Sequence, residues 1–494
     1  MTANLYEWCM ARGGEGGEAG EGATAVRWQG GVLSYAELDA LVNRRAATLR
    51  ESGIDSQAIA ALRFVSQFEL ALTALALMKE CVPFIAIPRS QTAQLASQWI
   101  GEARATILLT DNPGRRLDAT ASLLVGCDSD REAASPRSAA PRGDGLAMII
   151  GGSGSTGRSK LIPITCEQME NRVLDTIETL GLTARDVSLG LVHLEFASAM
   201  HRFLSVLKSG GSTILGDFPI AEAIDRAGRE GVTVISSTAV HADMLLAQAG
   251  SARQPVLPRL RMMTIAGSTI SEPLRRRVME AITPNLWVGY GTNECWYATA
   301  ATPEMIRTTP GTVGVASSRS EVRLVSDSGE PVAAGEVGLI EIRGRSVVSG
   351  YWDPGLPENG AFRDGWFRPG DLGRATADGQ IVFCGRSDNM MIFNGVNIYP
   401  VEIENCLLAF PGIAEAVAFP SGDPVHQDVP VCAVVFEEGV QPDVKALAQF
   451  ARKQLGFRAP RAVYLFPRLP RTTLGKVSVP EVIRITAKVA LRKV

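Results

Sequence analysis

The chain has 494 residues, 46% of them hydrophobic, which supports sizeable cores and more than one domain, and its net charge of -3 gives no global field to attract nucleic acid or an acidic membrane. Its eight cysteines contain no CxxC pair, which argues against a zinc ribbon or redox motif and suits lone thiols in a reducing compartment. There is no apolar core of a signal peptide, and the most apolar helical stretch, Leu70 to Met78, is too short to span a bilayer, so a cytoplasmic protein without membrane or nucleic-acid partners is expected.

Residues 11–23 are rich in Gly and Glu and read as a loop. A helix follows, capped by Ser34, with Glu37 closing a capping box and Gly53 ending it. The runs "AIAALRFV", "FELALTALALMK", "PFIAIP", "ATILLT" and "LAMII" then alternate between strand and helix patterns. That alternation predicts parallel sheet covered by helices, and it resumes with "GGSTILG", "GVTVISS" and "RLRMMTIAG". Beyond about residue 310, "EVRLVSDSGEPVAAGEVGLIEIRG" reads as antiparallel strands joined by Gly/Pro turns. In a last unit Pro400 sits at a first helical position, with Glu402 and Glu404 expected in the first turn. "VPVCAVVFEE" is then a strand and "PDVKALAQFARKQL" a helix. A boundary near 385 divides the chain into domains 1–385 and 386–494.

Between strand-like runs lies "GGSGSTGRSK", residues 151–160. Gly/Ser runs are commonly linkers, but here cations follow, and glycines let backbone N–H groups approach phosphate oxygens. A Walker loop would lead straight into a helix. "LIPIT" follows instead, with β-branched residues and a proline that lacks an N–H, and this predicts an extended segment.

"SGSTGRSK" resembles the phosphate loop of the adenylate-forming superfamily, which contains acyl-CoA synthetases, nonribosomal peptide synthetase adenylation domains and luciferases. The flanking residues are most similar to stand-alone aryl-acid adenylating enzymes. Four further motifs follow in the family's order: "GYGTNE", "GWFRPGDLG", "GRSDNMMIFNGVNIYPVEIE" and "LPRTTLGKV". The resemblance implies an α/β fold: a large N-terminal domain of two helix-packed mixed sheets plus a small β-barrel, and a small α+β C-terminal cap. It implies ATP and Mg²⁺ as cofactors. It also implies a two-step reaction in which a carboxylate attacks the α-phosphate of ATP, pyrophosphate leaves, and the acyl-adenylate meets a nucleophile.

The site residues follow by the same resemblance. Ser153, Gly154, Ser155, Thr156, Gly157 and Lys160 would cradle the β- and γ-phosphates, hydroxyls and a mobile cation suiting anionic oxygens. Gly267, Ser268, Gly289, Tyr290, Gly291, Asn293 and Phe383 would surround the nucleotide, with Tyr290 stacked on adenine and Asn293 in place of the usual Thr. Glu294 would ligate Mg²⁺, a hard cation that prefers carboxylate oxygen. Asp371 would accept from the ribose hydroxyls, though an Asp beside Gly is otherwise a turn residue, and Arg386 would support it. Lys476 would stabilise charge growing in the adenylation transition state; the alternative is one more cation in a basic tail. Asp388 would be the hinge about which the cap rotates, and Gly395 would line the pantetheine tunnel.

His193, Leu194, Glu195, Ser198, Ser237, Ala266, Gly267 and Trp296 fall on the family's acyl-pocket segments, and His193 is also expected to be catalytic alongside Lys476 and Glu294. Leu194 can neither neutralise an ammonium nor bond a hydroxyl, which disfavours α-amino acids and 2-hydroxybenzoates. Trp296 suggests a compact, aromatic acid. Glu195 could face the pocket or water. The expected activity is acid–thiol ligation to coenzyme A or to the phosphopantetheine of a carrier protein supplied in trans. The alternatives are an amide synthetase and a non-catalytic nucleotide-binding homologue. The retained Lys160, Glu294, Asp371, Arg386 and Lys476 favour activity.

Overall fold

The computed structural model describes residues 4–11, 22–112, 122–124, 143–152, 160–216, 218–250, 252, 254–353, 355, 360–423, 427–471 and 477–488. Three sheets organise them. A six-stranded sheet takes the strands Ser122–Leu124, Ile107–Thr110, Ala60–Leu62, Phe84–Ala86, Leu146–Gly152 and Lys160–Thr165 in that order. It is parallel up to the last pair, which forms an antiparallel hairpin with Gly152 opposite Lys160. The segment after the glycine-rich stretch is therefore a strand, as its β-branched residues and proline predict, and it leads into the helix Cys166–Leu180 only six residues later. Thr165 and Gln168 form a capping box at that helix start, and Gly181 closes its end at φ 58°.

The largest sheet has a parallel centre made of Ser212–Ile214, Val187–Gly190, Val234–Ser237, Met262–Ile265 and Leu286–Thr292. Antiparallel strands extend it: Trp296–Ala301, Thr312–Ala316, Ile381–Arg386, Asp371–Ala375 and Val337–Gly344 hydrogen-bond in succession. The strand Ser320–Val325 pairs with Val337–Gly344 across the Gly/Pro turn, so the antiparallel reading of this region holds.

A helix covers Tyr35–Glu51 with the expected Ser34–Glu37 capping box, and Gly53 follows at φ 77°. It packs on the helix Gln67–Lys79, whose side chains are nearly all buried. The all-round apolar pattern of that second helix thus marks a core element rather than a membrane span; no helix among the described residues is long and apolar enough to cross a membrane.

The third sheet contains Met391–Phe393, Val396–Ile398, Ile413–Asp423, Gln427–Phe436 and Val463–Leu465, packed against Pro400–Leu408 and Val444–Leu455. The expected first turn after Pro400 needs one correction. Glu402 lies in it, but Glu404 falls on the second turn, where its carboxylate accepts from the Ala418 backbone N–H at 3.0 Å. Glu404 thus ties the helix to the neighbouring strand instead of complementing the helix dipole.

Candidate active site

In a sheet of this kind ligands collect beyond the carboxyl ends of the parallel strands, where connecting loops diverge. The expected acid- and nucleotide-site residues gather there. His193, Leu194 and Glu195 follow Val187–Gly190; Ser237 ends Val234–Ser237; Ala266, Gly267 and Ser268 follow Met262–Ile265. Gly289, Tyr290 and Gly291 lie in the end of Leu286–Thr292, with Asn293 and Glu294 in the turn beyond. Adjacent strand ends are bonded together: Ser237 Oγ donates to the Thr264 carbonyl at 2.9 Å, and Ala266 N–H to the Ser237 carbonyl at 3.3 Å. Ser268 Oγ accepts from the Ala239 N–H at 3.4 Å. Gly291 is required by crowding, since a Cβ there would lie 1.7 Å from the Trp296 carbonyl oxygen.

Asp371 is buried, and both its oxygens are engaged. Tyr290 Oη donates to Oδ2 at 2.7 Å, and Arg386 Nη1 donates to Oδ1 at 3.4 Å. Burial raises the Asp371 pKa against the opposing pull of the Tyr290 hydrogen bond and the Arg386 charge, and burial raises that of Tyr290 as well. A carboxylate has about four lone-pair positions, so two remain for a pair of ribose hydroxyls. The Tyr290 ring meets Phe383 at 5.8 Å in a tilted arrangement, leaving an aromatic wall a purine could use.

The Lys160 ammonium lies 5.1 Å from the centre of the Tyr351 ring, and the Tyr351 hydroxyl donates to Glu294 Oε1 at 3.2 Å. Among the described residues no group of three or more His, Cys, Asp or Glu side chains converges on a metal site. A Mg²⁺ ion carried by phosphates needs only one or two protein carboxylates, and Glu294 offers one carboxylate in the turn after Leu286–Thr292. Asn293 is exposed, with its side chain at the surface of the same turn. Residues 153–159, with Ser153, Gly154, Ser155, Thr156 and Gly157, lie outside the described residues, as does Lys476.

The acid-pocket segment answers the question posed by Glu195. Its carboxylate is buried and pairs with Arg89, Nε to Oε2 at 3.3 Å. Arg89 also donates from Nη2 to His193 Nδ1 at 2.5 Å, and because arginine has no acceptor, that nitrogen carries a lone pair. Leu194 is buried, and its N–H donates to Gln67 Oε1. Ser198 is exposed near the start of the helix Ala197–Lys208. Trp296 is buried with its indole N–H on Thr176 Oγ1 at 2.8 Å and its ring stacked on His201 at 4.3 Å. Those contacts anchor it to two helices.

At the junction with the third sheet, Arg386 holds Asp388 with Nε to Oδ1 at 2.9 Å and Nη2 to Oδ2 at 3.0 Å, inside the short turn Ser387–Asn389. Asn394 at φ 49° and Gly395 at φ 78° join the strands Met391–Phe393 and Val396–Ile398 as a two-residue turn. The Asn-Gly pair suits the primed hairpin turn that positive φ at both positions defines.

Sequence reasoning missed Arg89, Arg172, His241 and Tyr351. Arg89 stands just past the Phe84–Ala86 strand, and its only signal was that position. His241 caps its own helix through Thr238, and its pKa is lowered by burial and by the nearby His193. Arg172 is fully buried and donates to the Ser346, Asn293 and Glu294 carbonyls at 2.9 to 3.2 Å, so it holds the turn that carries Glu294.

Residues 16–352 match the AMP-binding enzyme family, and residues 402–476 match the AMP-binding enzyme C-terminal domain. An indoleacetate–CoA ligase of Aromatoleum aromaticum is 27% identical over 94% of this chain and 96% of its own. A 2-succinylbenzoate–CoA ligase of Bacillus velezensis is 30% identical over 68% of each chain. ATP-bound MatB from Rhodopseudomonas palustris superimposes with a TM-score of 0.88 over 99% of both chains at 24% identity, a likeness of fold. By motif order, architecture and these matches, the chain belongs to the AMP-binding enzyme family.

Proposed function

We propose that this chain activates a small carboxylic acid with ATP, forming an acyl-adenylate and pyrophosphate, and passes the acyl group to the thiol of coenzyme A. The observation that carries this reading is the family match over both parts of a chain that keeps Lys160, Glu294, Asp371, Arg386 and Lys476. Two relatives with long matches are named as CoA ligases.

Each residue then has a task its chemistry suits. Tyr290 and Phe383 bind adenine, and Asp371 takes the ribose hydroxyls while Arg386 balances its charge. Lys160 and the loop 153–159 hold the β- and γ-phosphates. Mg²⁺, when bound through Glu294 and the phosphates, would offset phosphate charge. Lys476 places its cation where negative charge grows on the phosphorus oxygens and the attacking carboxylate, so it favours the transition state over the ground state. The unit 386–494 then turns about Asp388, withdraws Lys476 and opens the thiol path past Gly395.

The acid is of the aryl or another non-α-amino class. Leu194 supplies no charge for an ammonium, and the two relatives act, by name, on indoleacetate and 2-succinylbenzoate. His193, held by Arg89, contributes its imidazole to the pocket wall.

Acid-dependent exchange of labelled pyrophosphate into ATP, across aryl, aliphatic and α-amino acids, tests the first half. Exchange confined to aryl or other non-α-amino acids is expected; exchange with α-amino acids refutes the substrate class, and none with any acid refutes the activity. With the acid in hand, thioester formation with coenzyme A tests the acceptor. Transfer only to a phosphopantetheinylated carrier protein, or only to an amine, would replace coenzyme A with that acceptor.

A further inference from the structure

Tyr351 touches both charged side chains at the expected phosphate end. Its hydroxyl donates to Glu294 Oε1 at 3.2 Å, and Lys160 Nζ lies 5.1 Å from its ring centre. Lys160 and Glu294 are opposite charges within reach of one side chain, yet no ion pair joins them. A direct bridge between them would be self-satisfied, and ATP would have to break it to use the lysine.

The surroundings fix the tyrosine in this place. Trp352 N–H donates to the Leu161 carbonyl at 2.8 Å, docking the segment onto the strand that begins with Lys160. The Trp352 indole N–H donates to the Glu102 carbonyl at 3.1 Å. The Tyr351 ring stands edge-on to Phe362 at 5.5 Å, which stacks on Phe367 at 5.0 Å. Glu294 is held from its other side: its carbonyl accepts from Val348 N–H at 2.9 Å and from buried Arg172 at 3.2 Å. Both charged residues and the ring between them therefore sit on anchored backbone.

We propose that Tyr351 is a positioning residue that keeps Lys160 and Glu294 apart, so that the ammonium stays available to phosphate and the carboxylate to a divalent cation; this rests on the ATP-site reading above. The ring attracts the ammonium through its negative face, and the hydroxyl orients the carboxylate by a charge-assisted bond. One side chain thus serves two opposite charges without letting them neutralise one another.

Calorimetric titration with ATP, with and without Mg²⁺, tests this on wild type, Tyr351→Phe, Tyr351→Ala, Glu294→Gln and the Tyr351→Ala, Glu294→Gln double variant, with a melting curve for each. In Tyr351→Ala the two charges meet, and Mg²⁺-free ATP binding weakens roughly three- to tenfold, the scale of a partly exposed ion pair or one charged hydrogen bond. Adding Glu294→Gln restores that affinity, because the lysine loses its competitor. Tyr351→Phe keeps the ring in place and retains Mg²⁺-free affinity, while the Mg²⁺ needed for half-maximal enhancement of ATP binding rises roughly fivefold with loss of the charged hydrogen bond. Wild-type affinity in Tyr351→Ala overturns the proposal. So does a loss that Glu294→Gln does not relieve, since a merely structural role would lower affinity whichever residue stands at 294. A wild-type protein that binds no ATP would instead refute the ATP-site reading itself.

Discussion

Two parts of the candidate site are built on opposite principles. At one end Asp371 is buried and already engaged, with Tyr290 on one oxygen and Arg386 on the other. At the other end the half-buried side chains of Lys160 and Glu294 both meet Tyr351. A buried carboxylate left unpaired would be costly, so the first end must be satisfied before any ligand arrives. A half-exposed charge keeps most of its hydration and can wait for its partner. The first end is part of the fold, and the second is held ready by the fold.

Removing Lys476 should produce the largest effect and separate both ends from the chemistry. Lys476→Ala is expected to lower adenylate formation by about a hundredfold or more, in the range for losing a charge-stabilising group, while acyl transfer from preformed adenylate stays largely intact. Single-turnover assays of each half-reaction read this directly, and equal loss in both would show that the lysine is not confined to the first step. Asp388→Pro comes next. Rigidifying that turn should spare pyrophosphate exchange and block thioester formation; normal thioester formation would remove the hinge assignment.

The comparison itself is tested by a matched pair. Asp371→Asn should weaken ATP binding and also destabilise the protein by about 1–3 kcal/mol, because Tyr290 and Arg386 lose a charged partner. Glu294→Gln should weaken Mg²⁺-dependent ATP binding and leave the melting temperature near wild type. Equal melting shifts for the two variants would erase the distinction drawn between the ends.

The smallest effect concerns the scaffold beneath the Glu294 turn. His201 is fully buried against Trp296, and burial, with the Arg172 charge, lowers its pKa to about 3. The folded protein therefore binds fewer protons than the unfolded chain between about pH 3 and 6.5. Its stabilising effect is fully present above pH 6.5 and is lost as pH falls toward 3, amounting to about 1 kcal/mol by pH 5.5. Chemical denaturation of wild type and His201→Phe across this range should show a shallower pH dependence in the variant; unchanged slopes would remove His201 as the source.

By itself the amino-acid sequence determined the alternation of strands and helices up to about residue 300, the capping of the helix after Ser34, and the extended segment after the glycine-rich stretch. Local rules decide those features: period, capping chemistry, and a proline with no N–H to donate. Motif order also made the family legible and singled out Tyr290, Glu294 and Asp371 as candidates. Tertiary structure alone decided how they are used. That Glu195 pairs with Arg89, 106 positions away, is not written in either local segment. Nor is the reach of Arg172 to the Glu294 carbonyl, or the placing of Tyr351 between two charges on different strands and turns. Glu404 shows the same limit at short range, since a helix pattern cannot say which neighbouring strand will claim an acidic side chain. Such contacts depend on which chain segments packing brings together, and no local period records that.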